Sequence, residues 1–406
     1  MKKIIFINRY FYPDQSATSQ LLSDLLFNIA GDVKGDIHVV TSRNTYECDK
    51  TLSKFELINN IKVHRVLTTN FGRANLIGRA LDYLSFYFST LFLLFYLMKK
   101  NDVVIAKTDP PLISFIAYIV VKLKKGHLVN WLQDVFPEVA GALGVINKNT
   151  LLYKVLNKAK NISLKAADKN IVIGQKMAEH LIEQGVDSSK VEVIHNWSIN
   201  TDTQYVPKEE NVLIDDWALN DKFVVGYSGN FGRAHEYNII EKLVDNYKQD
   251  SSLNFLFIGG GKYCVDIKKY AEKNKIKNIT FKPYQDKAKL NYSFSIADLN
   301  IISLRPELEG FIVPSKFYGL ASIGVPILFI GDQQGEIAQI IKQHQCGYTF
   351  SQDQKEDICQ LIDKLKSGEK NSNLVIENLK SLYETTYRPE VAYGKWKIIL
   401  DDYVNA

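Results

Sequence analysis

The sequence predicts an α/β protein built from two doubly wound parallel sheets. Three observations support this fold class. In the first half of the chain, apolar runs of strand length alternate with helical stretches, which is typical of a parallel sheet wrapped by helices. The polar stretch 200–221 interrupts the alternation, and the same pattern then restarts. The restart predicts a second doubly wound domain.

The apolar runs locate the strands of both domains. In the N-terminal domain, residues 1–198, they predict strands at 3–8, 37–41, 61–66, 103–106, 127–131, 170–173 and 191–194. In the C-terminal domain, residues 199–385, they predict strands at 223–227, 253–258, 279–282, 299–303, 326–330 and 347–350. Each domain is long enough to bury its own core, so we expect a cleft between the two.

Composition narrows the class of protein. The four cysteines are scattered and form no Cys-x-x-Cys pair, which is typical of reduced thiols in the cytosol and gives no metal-ligand spacing. The opening run at residues 1–8 is too short for the apolar core of a signal peptide. We therefore expect a cytoplasmic protein without a metal site or a cofactor.

The positive charge lies in the N-terminal half. Residues 1–200 hold 25 Lys and Arg against 17 Asp and Glu, whereas residues 201–406 hold 25 against 28. A basic half suits nucleic acid, anionic lipid or a phosphorylated substrate. No helix-turn-helix, aromatic RNA-binding strand or arginine cluster is present in the sequence, so we expect no nucleic-acid partner.

One apolar run carries no charged residue. Residues 83–98 are rich in Phe, Leu and Tyr, and Lys99 and Lys100 follow them. The run is short for a membrane span. It fits a buried core helix or an interfacial helix whose cationic ends contact anionic headgroups. A second apolar run, 112–121, ends in a lysine cluster at 122–125 and favours the interfacial alternative.

Polar and glycine-rich segments follow the predicted strands. Ligands of open parallel sheets bind at the carboxyl ends of the strands, so these segments form the candidate site. In the N-terminal domain they supply the candidate residues Ser16, Thr18, Asp109 and Asp134. In the C-terminal domain they are the loops 228–233, 259–261 and 283–284 and the segment 308–319.

The segment 308–319 predicts an anion site. It places Glu309, a flexible turn at Gly310 and Phe311, and then Lys316 at the mouth of a predicted helix. A helix N-terminus has free amides and a partial positive charge, and a lysine there adds a full charge. An ordinary turn capped by Ser315 is the alternative. Such a site fits a sugar linked to a diphosphate.

The loop 228–233 offers a second group of anion-binding residues. It follows a predicted strand and opens a predicted helix, with Gly229 and Gly232 freeing the backbone to approach phosphate and Arg233 available to neutralise it. The loop lacks both the Gly-Lys-Ser/Thr of a Walker loop and the Gly-x-Gly-x-x-Gly of a dinucleotide fingerprint. A tight structural turn is the alternative.

Acidic residues allow two interpretations. Asp134 follows a buried strand, where it either caps a helix together with Glu138 or meets substrate. The chain contains no Asp-x-Asp, which a metal-dependent nucleotide-sugar enzyme of a single domain would use to hold its cation. The charge of a diphosphate would therefore be balanced by Arg233, Lys316 and helix dipoles.

Six segments together resemble one enzyme family. They are Arg-Tyr-Phe-Tyr-Pro at 9–13, Trp-Leu-Gln-Asp at 131–134, Val-Ile-His-Asn at 193–196, Gly-Tyr-Ser-Gly-Asn at 226–230, Phe-Ile-Gly-Gly-Gly at 257–261 and Val-Pro-Ser-Lys-Phe-Tyr at 313–318. In this order, over nearly the whole chain, they resemble the retaining nucleotide-sugar glycosyltransferases of family four. More narrowly, they are similar to the branch that includes L-fucosamine and colanic-acid transferases of O-antigen and capsule assembly.

The resemblance implies the GT-B architecture, with two facing Rossmann-like domains. The N-terminal domain would bind the acceptor, the C-terminal domain would hold the donor, and a last helix at 386–406 would pack back on the N-terminal domain. Arg233 and Lys316 would bind the diphosphate and Tyr284 would lie near the base. Gly229 and Asn230 would form the backbone cradle. The remaining implied donor-side residues are Glu309, Gly310, Phe311 and Ser315.

Two positions depart from the family pattern. Glu309 corresponds to the first of the usual two glutamates, displaced by about two residues, and Gly319 occupies the place of the second. The sequence therefore does not show which residue would make the ribose contact of that second glutamate. Where many relatives have a histidine near the reacting centre, this chain has Asp134.

The expected activity is metal-independent transfer of a sugar from a nucleoside diphosphate, with UDP as the nucleotide, and with retention at the anomeric carbon. Asp134, Glu309, Arg233 and Lys316 are the predicted catalytic residues, and either Asp134 or the leaving phosphate would take the acceptor proton. The expected acceptor is a polyprenyl-diphosphate-linked saccharide at the inner face of a bacterial plasma membrane. A UDP-sugar 2-epimerase of the same fold and a non-catalytic nucleotide-sugar-binding subunit are the alternatives.

Overall fold

The computed structural model describes residues 1–46, 51–72, 76–199 and 204–405. The chain divides into two compact units. The first comprises Met1–His195, Gly310–Ile312 and Glu390–Ala406, and the second comprises Asn196–Glu309 and Val313–Pro389. A separate β-sheet forms the centre of each unit.

The described part of the first unit contains an eight-stranded sheet with the order β3-β4-β2-β1-β5-β6-β7-β8. Its strands are β1 Lys3–Ile7, β2 Asp36–Ser42, β3 Phe55–Ile58, β4 Ile61–Val66, β5 Val103–Lys107, β6 His127–Trp131, β7 Lys169–Val172 and β8 Val191–Val193. Every neighbouring pair is parallel except β3 and β4, which are antiparallel at the edge. The strands predicted for this half are confirmed.

Strand β3 was not predicted. It has only four residues, and its side chains alternate between exposed and half-buried positions, with Phe55 and Leu57 exposed. An edge strand of this length lacks the continuous apolar run that marks a strand buried on both faces.

Six α-helices connect these strands in the described part of the first unit. They are α1 Ala17–Ile29, α2 Leu76–Leu97, α3 Ile113–Lys124, α4 Glu138–Ala142, α5 Leu151–Ala166 and α6 Gln175–Glu183. Helices α2 and α3 pack on one face of the sheet, where Phe86 and Leu94 of α2 join Val104 and Leu128 in one buried apolar cluster. The cluster fixes the loops that follow β1, β5 and β6.

The second unit contains a six-stranded, all-parallel sheet with the order β11-β10-β9-β12-β13-β14. Its strands are β9 Phe223–Asn230, β10 Leu253–Gly260, β11 Ile279–Lys282, β12 Leu299–Ser303, β13 Ile327–Ile330 and β14 Tyr348–Phe350. Its helices are α7 Val212–Asp216, α8 Asn238–Asn246, α9 Lys262–Lys273, α10 Leu290–Ser295, α11 Lys316–Ile323, α12 Glu336–His344, α13 Lys355–Lys366 and α14 Asn373–Leu382. Apolar clusters lie on both faces of the sheet.

The last helix, α15 Pro389–Asn405, is counted with the first unit from Glu390 onward. A proline suits a helix start because its missing N–H would have no partner there. The fully buried Trp396 lies with its ring 4.7 Å from that of Trp131 and 6.4 Å from that of Phe6, measured between centroids. These aromatic contacts attach the helix to the core of the first unit.

Helix α2 presents an unusual surface. Its segment Ile77–Leu97 is long and apolar enough to cross a membrane by length and composition, yet only 28% of its most apolar window is buried. We call its exposed apolar face the α2 stripe, defined by Ile77, Leu81, Leu84, Phe88, Phe92 and Phe95. At 100° per residue these positions fall on one side of the helix. The run predicted at 83–98 is thus helical as far as Leu97, with one face buried and another exposed.

The glycine-rich loop 228–233 differs from its prediction. Strand β9 continues through Gly229 to Asn230, and helix α8 begins only at Asn238. Arg233 therefore lies in a turn and does not open a helix. The cause is pairing with β10, because Gly229 and Asn230 stay in register with Gly259 and Gly260.

Candidate functional site

The strand order places a switch point in each sheet. In the first unit the chain fills the sheet on one side of β1 and then crosses to β5, and in the second it crosses from one side of β9 to β12. Ligands of doubly wound sheets bind where the strand order reverses, at the carboxyl ends of the two strands concerned. Thr18 lies in the first turn of α1, which follows the loop after β1, and Asp109 lies in the loop after β5. The loops after β9 and β12 carry Arg233 and Glu309.

Lys316 is the most informative residue of the second unit. It is the first residue of α11, and its ammonium Nζ is buried without a hydrogen-bond partner among the described residues. The ammonium lies 3.5 Å from the centroid of the Tyr227 ring. Burial lowers the pKa of Lys316 well below its usual value. A buried amine with no counterion at a helix N-terminus is arranged to receive an anion.

His235 and Tyr227 form the wall beside this lysine. The Nδ1 of His235 lies 2.6 Å from the carbonyl oxygen of Ser303, and its ring meets that of Tyr227 edge-on at 5.7 Å. Burial and the charge of Lys316 lower the pKa of His235 to about 3. The imidazole is therefore neutral at pH 7, and it adds no charge that would compete with Lys316 for an anion.

Glycines let the backbone approach the lysine. Gly229 has φ +106°, and a Cβ atom built on it would lie 3.0 Å from Cε of Lys316. Gly261 also has φ +106°, and a Cβ there would come within 2.3 Å of Oδ1 of Asn230. Both positions require glycine for conformation as well as for space. The predicted cradle at Gly229 and Asn230 is thus next to Lys316.

Tyr284 lies over the glycines that end β10. A Cβ on Gly259 would lie 3.1 Å from the Tyr284 ring, and a Cβ on Gly260 would lie 3.4 Å from it. The ring is 62% exposed. An exposed aromatic ring beside bare backbone offers a stacking surface, in keeping with its predicted place near a base.

Glu309 contacts the start of helix α12. Its Oε2 accepts a hydrogen bond from the backbone N–H of Glu336 at 3.1 Å, and a Cβ on Gly335 would fall 2.3 Å from its Oε1. The carboxylate therefore stabilises the positive end of α12. The donor-side role predicted for Glu309 stays a prediction.

The capping alternative for Ser315 finds no support. Ser315 precedes α11 in a helical conformation, and its side chain makes no capping hydrogen bond. Gly319 lies within the same helix, and a Cβ there would contact only the Phe294 ring, at 3.4 Å. The N–H groups of Phe317 and Tyr318 donate to the carbonyls of Pro314 and Ser315 at 3.2 and 3.3 Å, and no carboxylate stands at the place of the second family glutamate.

In the first unit the structure brings Thr18 and Asp109 together. Oγ1 of Thr18 donates to Oδ2 of Asp109 at 3.4 Å. The buried ammonium of Lys107 donates a hydrogen bond to the carbonyl of Thr18 at 2.9 Å and lies 3.9 Å from the centroid of the Trp131 ring. Lys107 was not singled out from the sequence. Ser16 is tied to the same loop, since its N–H donates to Oδ1 of Asp14 at 2.8 Å.

Asp134 does not cap a helix. The residue at the N-cap of α4 is Pro137, and Oδ1 of Asp134 is buried without a hydrogen-bond partner among the described residues. Burial raises the pKa of Asp134 to about 6, the charge of Asp109 adds to the rise, and a hydrogen bond with Thr108 opposes it. A carboxyl group whose pKa lies near neutral pH is suited to proton transfer.

The segment 310–312 lies in the first unit, beside Asp134. Ile312 forms an antiparallel bridge with Asp134, and the N–H of Val135 donates to the carbonyl of Phe311 at 2.9 Å. Gly310 has φ +75°. The ring of Phe311 meets His180 edge-on at 4.9 Å. Gly310 and Phe311, predicted on the donor side, thus belong to the first unit.

Three residues of the site were missed from the sequence, namely Lys107, Tyr227 and Ser303. All three belong to buried strands, where a polar group attracts notice only once its neighbours are known. Of the three, only Lys107 could have been noticed in the sequence, because a lysine at the end of an otherwise apolar strand is unusual. Within the described ranges no group of three His, Cys, Asp or Glu side chains could hold a metal ion.

The two doubly wound units have the GT-B fold. Residues 211–382 match the family described as Glycosyl transferases group 1. The chain is also 26% identical over 268 residues to the probable glycosyltransferase WbjE of Pseudomonas aeruginosa. That alignment covers 66% of each chain, just under two thirds of the relative's length.

Solved structures share the fold over the whole chain. HepE of Anabaena, determined with UDP and with UDP-glucose, superposes with a TM-score of 0.71 at 12% identity and covers 99% of this chain and 100% of its own. WaaG, a glycosyltransferase involved in lipopolysaccharide biosynthesis, superposes with a TM-score of 0.69 at 13% identity, covering 98% of this chain and 99% of its own. At these identities the likeness establishes the fold.

Proposed function

We propose that the protein is a retaining, metal-independent glycosyltransferase of family four that moves a sugar from a UDP-sugar to a hydroxyl of a lipid-linked saccharide. The buried ammonium of Lys316 at the start of α11, which has no hydrogen-bond partner among the described residues, carries the proposal. As the glycosidic bond breaks, negative charge grows on the diphosphate. A preorganised cation and a helix N-terminus stabilise that charge more than they stabilise the ground state.

The second unit would hold the donor. Arg233 lies exposed in the turn after β9, and Lys316 opens the helix that follows the loop after β12, so both flank the switch point between these adjacent strands. Gly229 and Asn230 would contribute backbone to the same diphosphate, and Tyr284 would stack near the base. HepE binds UDP and UDP-glucose, which supports UDP as the nucleotide.

The first unit would hold the acceptor. Asp134, with its pKa near 6, would take the proton of the attacking hydroxyl, or the leaving phosphate would take it. Thr18 and Asp109, joined by a hydrogen bond, would orient the acceptor. WaaG acts in lipopolysaccharide biosynthesis, and this supports a saccharide of the bacterial surface, in O-antigen or capsule synthesis.

Attachment to the inner face of the plasma membrane would bring the enzyme to its acceptor. The α2 stripe offers six exposed apolar side chains, more than a soluble surface usually presents in one strip. Lys99 and Lys100 follow the helix, and the ammonium of Lys124 lies 4.0 Å from the centroid of the Phe95 ring. Apolar insertion and attraction to anionic headgroups would act together.

Donor turnover with and without acceptor tests the proposal. A transferase consumes the UDP-sugar only when an acceptor is present, a 2-epimerase releases UDP and free epimer without one, and a binding subunit does neither. A screen of nucleotide sugars for protection against thermal unfolding should precede the assay, because a bound donor stabilises the folded state. If no nucleotide sugar protects the protein, the donor site is wrongly assigned.

A further inference from the structure

A groove in the first unit lies between strand β4 and helix α2. We call it the β4–α2 groove and define it by Arg43, Lys54, Phe55, His64, Leu67 and Leu93. It encloses about 400 Å³. We propose that it binds the phosphate groups of a prenyl-type lipid diphosphate whose hydrocarbon chain lies over the apolar side chains of the groove, Phe55, Leu67 and Leu93. The inference rests on the lipid-linked acceptor of the proposed function and gives it a binding site.

One wall of the groove is cationic. Arg43, Lys54 and Arg65 line it, and none of the described lining residues is acidic. Arg65 is already neutralised, because its guanidinium pairs with Glu56. Arg43 donates through Nε to the carbonyl of Leu52 at 2.9 Å, and within the described ranges no ion pair involves Arg43 or Lys54. Two charges are therefore available to a ligand.

His64 contributes a neutral ring to this wall. Burial, together with the neighbouring His38 and two lysines, lowers the pKa of His64 to about 4. Its Nε2 lies 2.9 Å from Nδ1 of His38, and the two rings are stacked. The positive charge of the groove thus comes from Arg43 and Lys54, and the guanidinium fork of Arg43 is the geometry that phosphate oxygens match best.

The other wall is apolar and continues onto helix α2. Phe55 and Leu67 are 54% and 68% exposed. Leu93 of helix α2 also lines the groove. A ligand with its anion between Arg43 and Lys54 would find the apolar side chains of Phe55, Leu67 and Leu93 in the same groove. This arrangement describes the headgroup and chain of a lipid.

The groove and the acceptor-side residues belong to one sheet. Asp134 follows strand β6. In the order β4-β2-β1-β5-β6, strands β4 and β6 are separated by four strand spacings, which is a distance of about 19 Å at ~4.8 Å each. A lipid diphosphate in the groove and a hydroxyl at Asp134 are thus separated by a distance that leaves room for the saccharide joining them. The lipid carrier, the saccharide and the accepting hydroxyl would follow one edge of the sheet.

The charge of the headgroup distinguishes the candidate ligands of the β4–α2 groove. An ordinary anionic phospholipid presents one phosphodiester with a single charge, whereas a diphosphate concentrates more negative charge in a compact headgroup. Two uncompensated cations in one groove match the diphosphate. We therefore assign the groove to the carrier of the acceptor and not to a bilayer phospholipid.

Equilibrium binding of farnesyl diphosphate to the full chain, measured by titration calorimetry, tests the inference. The variant Arg43→Gln/Lys54→Ala should bind it ~30-fold more weakly, since a cation near such a headgroup contributes on the order of 1 kcal/mol and two act here. Leu93→Asp, which leaves both cations in place, should also weaken binding. Lys34→Ala, an exposed lysine before β2, is the matched control and should bind like the unchanged protein.

Competition and turnover separate the outcomes. Short-chain phosphatidylglycerol should displace the probe poorly. If it competes as well as farnesyl diphosphate, or if the double variant binds the probe unchanged, the inference is wrong. Turnover with a lipid-free sugar acceptor should be the same in the double variant as in the unchanged protein. Groove-dependent binding without any sugar transfer would sustain this inference while contradicting the proposed function.

Discussion

Replacement of Lys316 by Met removes one charge and keeps the apolar stem. The ammonium is buried, lies 3.5 Å from the Tyr227 ring centroid and stands at the start of α11, so it acts on the diphosphate in a site with little screening by water. Loss of one such preorganised group lowers turnover by on the order of 10²-fold or more, or roughly 3 kcal/mol of transition-state stabilisation. We expect this loss in kcat.

Stability should change in the opposite sense from activity. Met fills the same volume and removes a buried amine that has no counterion, so the melting temperature without ligand should stay the same or rise. UDP release from a UDP-sugar in the presence of acceptor measures the rate. Lys355→Met is the matched control, because Lys355 is likewise the first residue of a helix, α13. A folded Lys316→Met variant with nearly full activity would refute the assignment.

Three further predictions concern separate parts of the account. Arg233→Gln should also lower turnover by about 10²-fold. The double variant with Lys316→Met should lose less activity than the two single losses combined, because groups that stabilise one charge act as a unit. Additive losses in initial-rate assays would contradict this. Asp134→Asn should abolish most turnover without lowering the melting temperature. In the unchanged protein, activity should rise as the pH increases through about 6, because Asp134, with its raised pKa, loses its proton there. A flat pH–rate profile would exclude Asp134 as the base. Binding to anionic vesicles should weaken with salt and on removal of Lys99 and Lys100, each contributing about 1 kcal/mol; an absence of binding at low salt in a sedimentation assay would contradict it.

The sequence predicted the strands well because each is a short, continuous apolar run. In a parallel sheet covered on both faces, a strand needs apolar residues at every position, and this separates it from the amphipathic helices around it. Strand β3 has exposed Phe55 and Leu57 at a sheet edge, so this signal was missing. The α/β fold with two parallel sheets is confirmed.

Helix starts after the glycine-rich loops were harder to predict. Pairing of Gly229 and Asn230 with the neighbouring strand extends β9 past the point where its apolar run ends. That extension is a tertiary effect, because the pairing partner lies some 30 residues further along the chain and glycine itself disfavours a strand. Arg233 consequently lies in a turn, five residues before α8 begins at Asn238.

The chemistry of individual residues depended most on the fold. The sequence placed Lys316 at the mouth of a predicted helix and Asp134 after a strand. It could not show that the Lys316 ammonium is buried without a hydrogen-bond partner among the described residues, or that the carboxyl group of Asp134 has a raised pKa. Both properties arise from desolvation by residues distant in the chain. The capping interpretations of Asp134 and Ser315 were local hypotheses, and the structure shows neither cap.

The configuration of the newly formed glycosidic bond tests the central claim most directly. The protein, a UDP-sugar selected by the thermal screen and a lipid-linked saccharide would be incubated with EDTA, and the product would be examined by NMR. We predict acceptor-dependent formation of one glycosidic bond with the anomeric configuration of the donor, at a rate that EDTA leaves nearly unchanged. Inversion at the anomeric carbon, a strict requirement for added divalent metal, or release of a free epimer without acceptor would contradict it.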